Sequence, residues 1–273
     1  MNKTALAQHI LQKQSYLCVG LDTDSTKLPV PLQDDPNGVI KFNQAIIDAT
    51  LEHCVAYKIN TAFYEAMGKK GWDIMEQTLA YIPATHFTIA DAKRGDIGNT
   101  SAQYAKTFFE VLPFDAITVA PYMGEDSVRP FLEYEHKWTI VLGLTSNKGS
   151  ADFQQLALAN SGEYLFERVM KTVASWGNPG NLMFVVGATQ AASFKPIRAA
   201  LPEHFFLVPG VGAQGGSLQD VSKMALNKEG GLLVNASRAI QYASSEADFA
   251  IKAKAVASQY HQEMQQLIIE QGL

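Results

Sequence analysis

Short apolar, β-branched runs alternate along the chain with longer segments whose apolar residues recur at helical spacing, the pattern of βα units around a parallel sheet. Eight strands are predicted, at 16–21, 55–59, 86–90, 116–120, 139–144, 182–186, 205–208 and 231–234. Val39, Asn43, Ile46, Ile47 and Thr50 fall on one helical face, and Tyr104, Phe108, Val111 and Leu112 on another. Val256, Tyr260, Met264, Leu267 and Ile268 form a third face near the C-terminus. Eight strands with intervening helices fit an α/β fold of the (β/α)8 TIM-barrel type, whereas an open doubly wound sheet usually has fewer strands and often splits into two domains. No Pro/Gly/Ser-rich linker, like-charge block or low-complexity stretch interrupts the pattern, so 1–273 reads as a single domain. The connection 145–162 is long and polar at its start, and is expected to serve as a lid.

Composition narrows the partners. With 273 residues, 47% of them hydrophobic, the chain can bury a large core. A formal net charge of −5 and a pI near 5.7 give no electrostatic basis for nucleic-acid or anionic-membrane partners, so any phosphate site must be local. Cys18 and Cys54 sit in or beside apolar runs, as buried free thiols of a reducing compartment do. The N-terminal segment has polar residues at helical spacing around Leu6, Ile10 and Leu11 and no apolar h-region, and no run is long enough to span a bilayer. The expectation is a soluble, cytoplasmic protein.

A barrel places its reactive groups at the C-terminal ends of its strands. At or just past the predicted ends lie Asp22, Lys58, Asp91 with Lys93, Ser146, Gln214 and Arg238. Any one of these charges could simply mark where a strand meets water, but convergence on one rim argues for more. The densest stretch is Asp91-Ala92-Lys93-Arg94-Gly95-Asp96. In extended geometry Asp91 and Lys93, two apart, face the same way, toward the barrel mouth, with Lys58 leaving a neighbouring strand. Two lysines and two aspartates packed together are costly to desolvate unless their charges alternate, each carboxylate then holding its ammonium neighbours protonated. Such an arrangement presents a proton; the alternative is an ion-pair network on the rim.

The segment Pro209-Gly210-Val211-Gly212-Ala213-Gln214-Gly215-Gly216 contains G-x-G-x-x-G after a strand. A dinucleotide fingerprint belongs to a first βα turn with an acidic residue about 20 positions on, and the region near Asn235 offers none. In a seventh βα loop the glycines suit backbone approach to an anion, with Ser237 and Arg238 of the next unit completing a phosphate cradle. The six histidines are scattered without metal spacing, and no P-loop or G-x-S-x-G motif occurs. Trp72, Trp138 and Trp176 read as packing residues.

These residues resemble the orotidine 5′-phosphate decarboxylase family, in its longer bacterial branch. The resemblance runs in order through Val19-Gly20-Leu21-Asp22, Tyr57-Lys58-Ile59-Asn60, Ala62-Phe63-Tyr64-Glu65, the string DAKRGDIGNT from Asp91 to Thr100, Leu144-Thr145-Ser146, Pro209 to Gln214, and Ser237-Arg238. The D-x-K-x-x-D core is shared with related sugar-phosphate barrels; the extended string is more specific. The resemblance implies conversion of orotidine 5′-phosphate to uridine 5′-phosphate without metal or organic cofactor. It implies a charged tetrad of Lys58, Asp91, Lys93 and Asp96, with Lys93 delivering the proton. It also implies a homodimer in which Asp96 and Thr100 serve the partner's site, Thr100 at the ribose. Asp22 would hold ribose hydroxyls, Ser146 the pyrimidine edge, and Gln214 with Arg238 the phosphate. Two rivals share these features: a magnesium-dependent sugar-phosphate lyase or synthase on the same barrel, and a catalytically silent barrel that binds a nucleotide as a regulatory module.

Overall fold

The computed structural model describes residues 1–212 and 215–273. Eight parallel strands close into a barrel in sequence order: β1 (Leu17–Gly20), β2 (Ala56–Asn60), β3 (Phe87–Arg94), β4 (Ala116–Val119), β5 (Trp138–Leu144), β6 (Leu182–Val186), β7 (Phe205–Pro209) and β8 (Leu232–Ala236). Closure rests on β1 pairing with both β2 and β8, through Cys18↔Ala56 and Cys18↔Asn235. Most strand positions are buried on both faces, because side chains fill the barrel and helices cover its outside. That is why the strands read as unbroken apolar runs.

The helix α1 (Lys3–Lys13) precedes the barrel, with Asn2 capping its start by accepting from the Ala5 N–H at 2.9 Å. It lies across the N-terminal ends of the strands. The Met1 ammonium pairs with Asp115 at 2.5 Å, the Met1 carbonyl accepts from Trp138 Nε1 at 2.8 Å, and Lys13 donates to the carbonyls of Leu51 and Cys54. Cys18 and Cys54 are free and buried, and burial pushes the Cys54 thiol up to about 11.

Further helices are α2 (Gly38–Thr50), α3 (Thr61–Glu65), α4 (Lys69–Tyr81) and α5 (Gly98–Lys106). The face expected in α2 is buried throughout. The face expected through α5 is not: Val111 is 66% exposed. After Lys106 the backbone widens into a π-helical turn over Thr107–Val111, and the longer turn rotates Val111 off the stripe that Phe108 continues. The C-terminal helix Phe249–Glu270 buries Met264, Leu267 and Ile268 as its periodicity predicts. Among the described residues, no helix is long and apolar enough to cross a membrane.

Candidate active site

Lys58 stands near the C-terminal end of β2 and is almost wholly buried, 3% exposed. Its Nζ donates to Asp22 Oδ1 at 3.0 Å and to Asp91 Oδ2 at 2.9 Å. The other Asp91 oxygen accepts from Lys93 Nζ at 2.5 Å and from Thr118 Oγ1 at 3.0 Å. The result is a linear alternation, Asp22, Lys58, Asp91, Lys93, buried most deeply at Lys58 and open at its far end, where the Lys93 side chain is half exposed. Burial pulls the Lys58 pKa down, but the carboxylates of Asp22 and Asp91 outweigh it and the net shift is upward. Burial pushes Asp91 up, yet Lys58 and Lys93 overcome it and hold the carboxyl well below the usual range. Both groups are therefore fully charged at neutral pH.

The strand carrying Asp91 and Lys93 is longer than its apolar run, so both residues lie within β3 rather than past its end. Nor does plain extended geometry align them. Between Ala90↔Ile117 and Arg94↔Val119 the register of β3 on β4 shifts, and Lys93 has a φ of 46°. This bulge turns the two side chains toward each other. The buried Thr118 stitches it, accepting from the Lys93 N–H at 2.8 Å while donating to Asp91.

A second carboxylate also meets Lys58. Within the chain it is Asp22; Asp96 is not drawn in, and its Oδ1 instead accepts from the Ile97 N–H at 2.8 Å. Asp22 is held by a buried polar chain. The Asp22 N–H donates to Gln241 Oε1 at 3.1 Å, Gln241 Nε2 to Thr23 Oγ1 at 2.8 Å, and Thr23 to Asn43 Oδ1 at 2.6 Å. Asn43 then donates to Tyr64 Oη, which donates to the Leu21 carbonyl at 2.9 Å. Sequence reading placed Asn43 on a helix face but gave it no partner. The available signal was an amide side chain in an otherwise apolar stripe.

The cleft above these charges has two adjoining lobes that share Lys58, Asp91, Pro209 and Asn235. The larger, about 420 Å³, runs past Asp22 to Ser237 and Arg238. The smaller, about 250 Å³, is walled by Leu142, Val185 and Leu207 and edged by Lys93, Ser146 and Asn147. Gly20 keeps the floor open: a Cβ there would stand 1.8 Å from Ser237 Oγ, so only glycine lets the ends of β1 and β8 approach this closely. Arg238 is exposed at the far end and, among the described residues, forms no ion pair. Thr100 and Asp96 line neither lobe. Gln214 lies outside the described residues.

The loop after β7 is shaped by glycine, with Gly210, Gly212 and Gly215 at φ of 95°, 69° and 86°. Its amides are not all turned to the cleft, however: Gly212 donates to the Gly216 carbonyl, Gly215 to Gly212 and Gly216 to Gly210. The 145–162 connection carries a short helix, Ser150–Phe153, and is tied back by Thr145 N–H donating to Gln154 Oε1 at 2.8 Å. Among the described residues, no three His, Cys, Asp or Glu side chains are grouped to hold a metal ion. The Lys58 ammonium lies between the carboxylates of Asp22 and Asp91.

Comparison with known proteins agrees with this geometry. Residues 15–253 match the family model described as Orotidine 5′-phosphate decarboxylase / HUMPS family. An orotidine 5′-phosphate decarboxylase of Bacteroides fragilis is 57% identical over 267 residues, 97% of each chain, and one of Phocaeicola vulgatus is 55% identical over 273 residues, 99% of this chain and all of the other. Among solved structures, the OMP decarboxylase of Leishmania donovani superposes with a TM-score of 0.81 at 34% identity, covering 97% of this chain and 99% of that one. The UMP synthase of the same organism gives 0.84 at 36%, covering 96% of this chain but 55% of its own, so this chain spans about half its length. With the closed barrel, the alternating charges and a match over nearly its whole length, the chain belongs to the orotidine 5′-phosphate decarboxylase / HUMPS family.

Proposed function

We propose that this chain is a cytoplasmic carboxy-lyase, acting as one domain without metal or organic cofactor, that converts orotidine 5′-phosphate to uridine 5′-phosphate and carbon dioxide, the last step of UMP biosynthesis. The observation that carries this reading is the Asp91 carboxylate shared by Lys58 and Lys93 where an apolar lobe meets a lobe ending at Arg238. The pyrimidine sits in the smaller lobe with its edge at Ser146, the ribose hydroxyls on Asp22, and the phosphate at Arg238 and Gln214.

Breaking the bond from C6 to the carboxylate leaves its electron pair in the ring plane, where no adjacent carbonyl can delocalise it. Neutral carbon dioxide departs, and the Lys93 ammonium stabilises the carbanion and then transfers its proton to C6. Asp91 repels the substrate carboxylate, and the repulsion vanishes as carbon dioxide leaves. Because Lys58, Asp91 and Asp22 hold these charges in place beforehand, little reorganisation accompanies the reaction. The barrier must fall by an amount near the upper end of the usual ~8–23 kcal/mol, which binding at the remote phosphate helps supply.

Asp96 and Thr100 serve the partner's cleft in a homodimer. Around them Ile97, Tyr122 and Met123 are 54%, 92% and 47% exposed, an apolar surface that a second copy would cover. The test is an absorbance assay with orotidine 5′-phosphate, with and without chelator. Turnover indifferent to chelator is expected. Loss on chelation would favour a metal-dependent lyase, and uridine 5′-phosphate binding without turnover would favour a silent nucleotide-binding barrel.

A further inference from the structure

Arg94 sits inside the charged run yet takes no part in the cleft. Its side chain leaves the opposite side of β3 and enters the layer between barrel and helices. There its guanidinium forms an ion pair with Glu65, the last residue of α3, and lies over the rings of Tyr104 and Phe108 at 5.3 and 5.4 Å. A third contact turns back: the guanidinium donates to the Ala92 carbonyl at 3.1 Å.

That carbonyl belongs to the peptide unit joining Ala92 to Lys93. The other end of the same unit, the Lys93 N–H, donates to Thr118 Oγ1 at 2.8 Å. The peptide plane is thus gripped at its oxygen from the outer layer and at its hydrogen from inside the barrel. The orientation of this plane sets φ of Lys93, whose value of 46° lies in the left-handed region, where a non-glycine side chain is sterically strained. A strained conformation persists only where its surroundings over-determine it. The Lys93 N–H bond alone leaves the carbonyl end free to swing; the Arg94 contact removes that freedom. Glu65 and the two rings in turn fix Arg94, and Glu65 follows β2, the strand that carries Lys58.

We infer that Arg94, anchored by Glu65, is a positioning residue for Lys93, clamping the 92–93 peptide so that the ammonium meets the reacting carbon. The inference rests on the role of Lys93 proposed above. It is tested with Arg94→Met, which keeps an apolar stem between the rings and removes every donor, and with Glu65→Gln, which keeps the shape of the side chain and removes its charge. Both are compared with the unsubstituted enzyme for kcat on orotidine 5′-phosphate, affinity for uridine 5′-phosphate and melting temperature. The expected result is a fall in kcat of about a hundredfold for Arg94→Met, the cost of displacing a reacting group by about 1 Å, with a smaller fall for Glu65→Gln. Affinity for uridine 5′-phosphate changes by less than about threefold, because the nucleotide contacts are untouched. Adding Glu65→Gln to Arg94→Met lowers kcat no further, since both act through one contact.

Unchanged kcat in folded Arg94→Met would overturn the inference. So would parallel losses of kcat and nucleotide affinity, which would make the anchor a general support of the rim. If Arg94→Met does not fold, the same split between kcat and affinity in Glu65→Gln decides. Absence of turnover in the unsubstituted enzyme would instead overturn the decarboxylase reading, and this inference with it.

Discussion

Lys58 and Lys93 share one carboxylate but sit on opposite sides of the boundary between core and cleft, so the same substitution at each separates stability from chemistry. Lys58→Met removes an ammonium whose side chain is 4% exposed and that bonds two carboxylates, Asp22 at 3.0 Å and Asp91 at 2.9 Å. Removing one partner from a buried ion pair costs roughly 3–5 kcal/mol, because the remaining charge is desolvated and uncompensated. Lys93→Met removes a side chain that is 50% exposed, where a pair is worth about 0–1 kcal/mol. For a chain of this length 1 kcal/mol corresponds to about 2 °C in melting temperature, so the expected losses are about 6–10 °C for Lys58→Met and about 2 °C or less for Lys93→Met. Turnover of orotidine 5′-phosphate disappears in both.

The pH dependence adds a second readout. Asp91 is ionised in the folded state at pH values where it would be protonated in the unfolded chain. Its contribution to stability is therefore present above the ordinary carboxylate range and is lost as pH falls toward the depressed folded value. The charge of Lys58 is the largest single influence opposing the burial of Asp91, so in Lys58→Met the acid limb of unfolding moves to higher pH. Thermal unfolding by circular dichroism, repeated across the acid range beside the absorbance assay, measures all three effects. Equal melting losses for the two variants would refute the burial argument, and turnover by folded Lys93→Met would refute the proton-donor role.

Arg238→Ala should weaken uridine 5′-phosphate much more than uridine in a calorimetric titration; equal losses would mean that the guanidinium does not meet the phosphate. Mixing inactive Lys93→Ala with inactive Asp96→Ala chains should restore activity in heterodimers, since one cleft in each then has both residues intact; no recovery in verified heterodimers would contradict a shared site. Burial, with Arg198 and Lys3 nearby, lowers the buried His204 from about 6.5 to about 4, and both its ring nitrogens are unpartnered among the described residues. Between those values the unfolded chain binds a proton that the folded chain refuses, so stability falls as pH drops through this window. His204→Leu should remove about 2 kcal/mol of that decline between about pH 7 and about pH 5, read by urea unfolding.

Much of the barrel and part of its site were legible from residue order. Eight apolar runs and their helical partners follow from local periodicity, and the rim position of Lys58, Asp91 and Lys93 follows from where each run ends. The π-helical turn that exposes Val111 was not, because a single inserted residue per turn leaves no mark on a stripe read at 3.6 spacing. Asp22 was seen as a rim charge, but its place beside Lys58 depends on Gln241, 219 positions away, and on Asn43 and Tyr64. The bulge that turns Lys93 toward Asp91 depends likewise on Thr118 and Arg94, which the sequence offers only as a polar strand residue and one more charge. Residue order determined which segments are strands, since burial on both faces is written into each short run. Which charges touch was decided only by closure of the barrel, because ion pairs and bulge contacts depend on distances of a few ångströms between strands that the chain itself holds far apart.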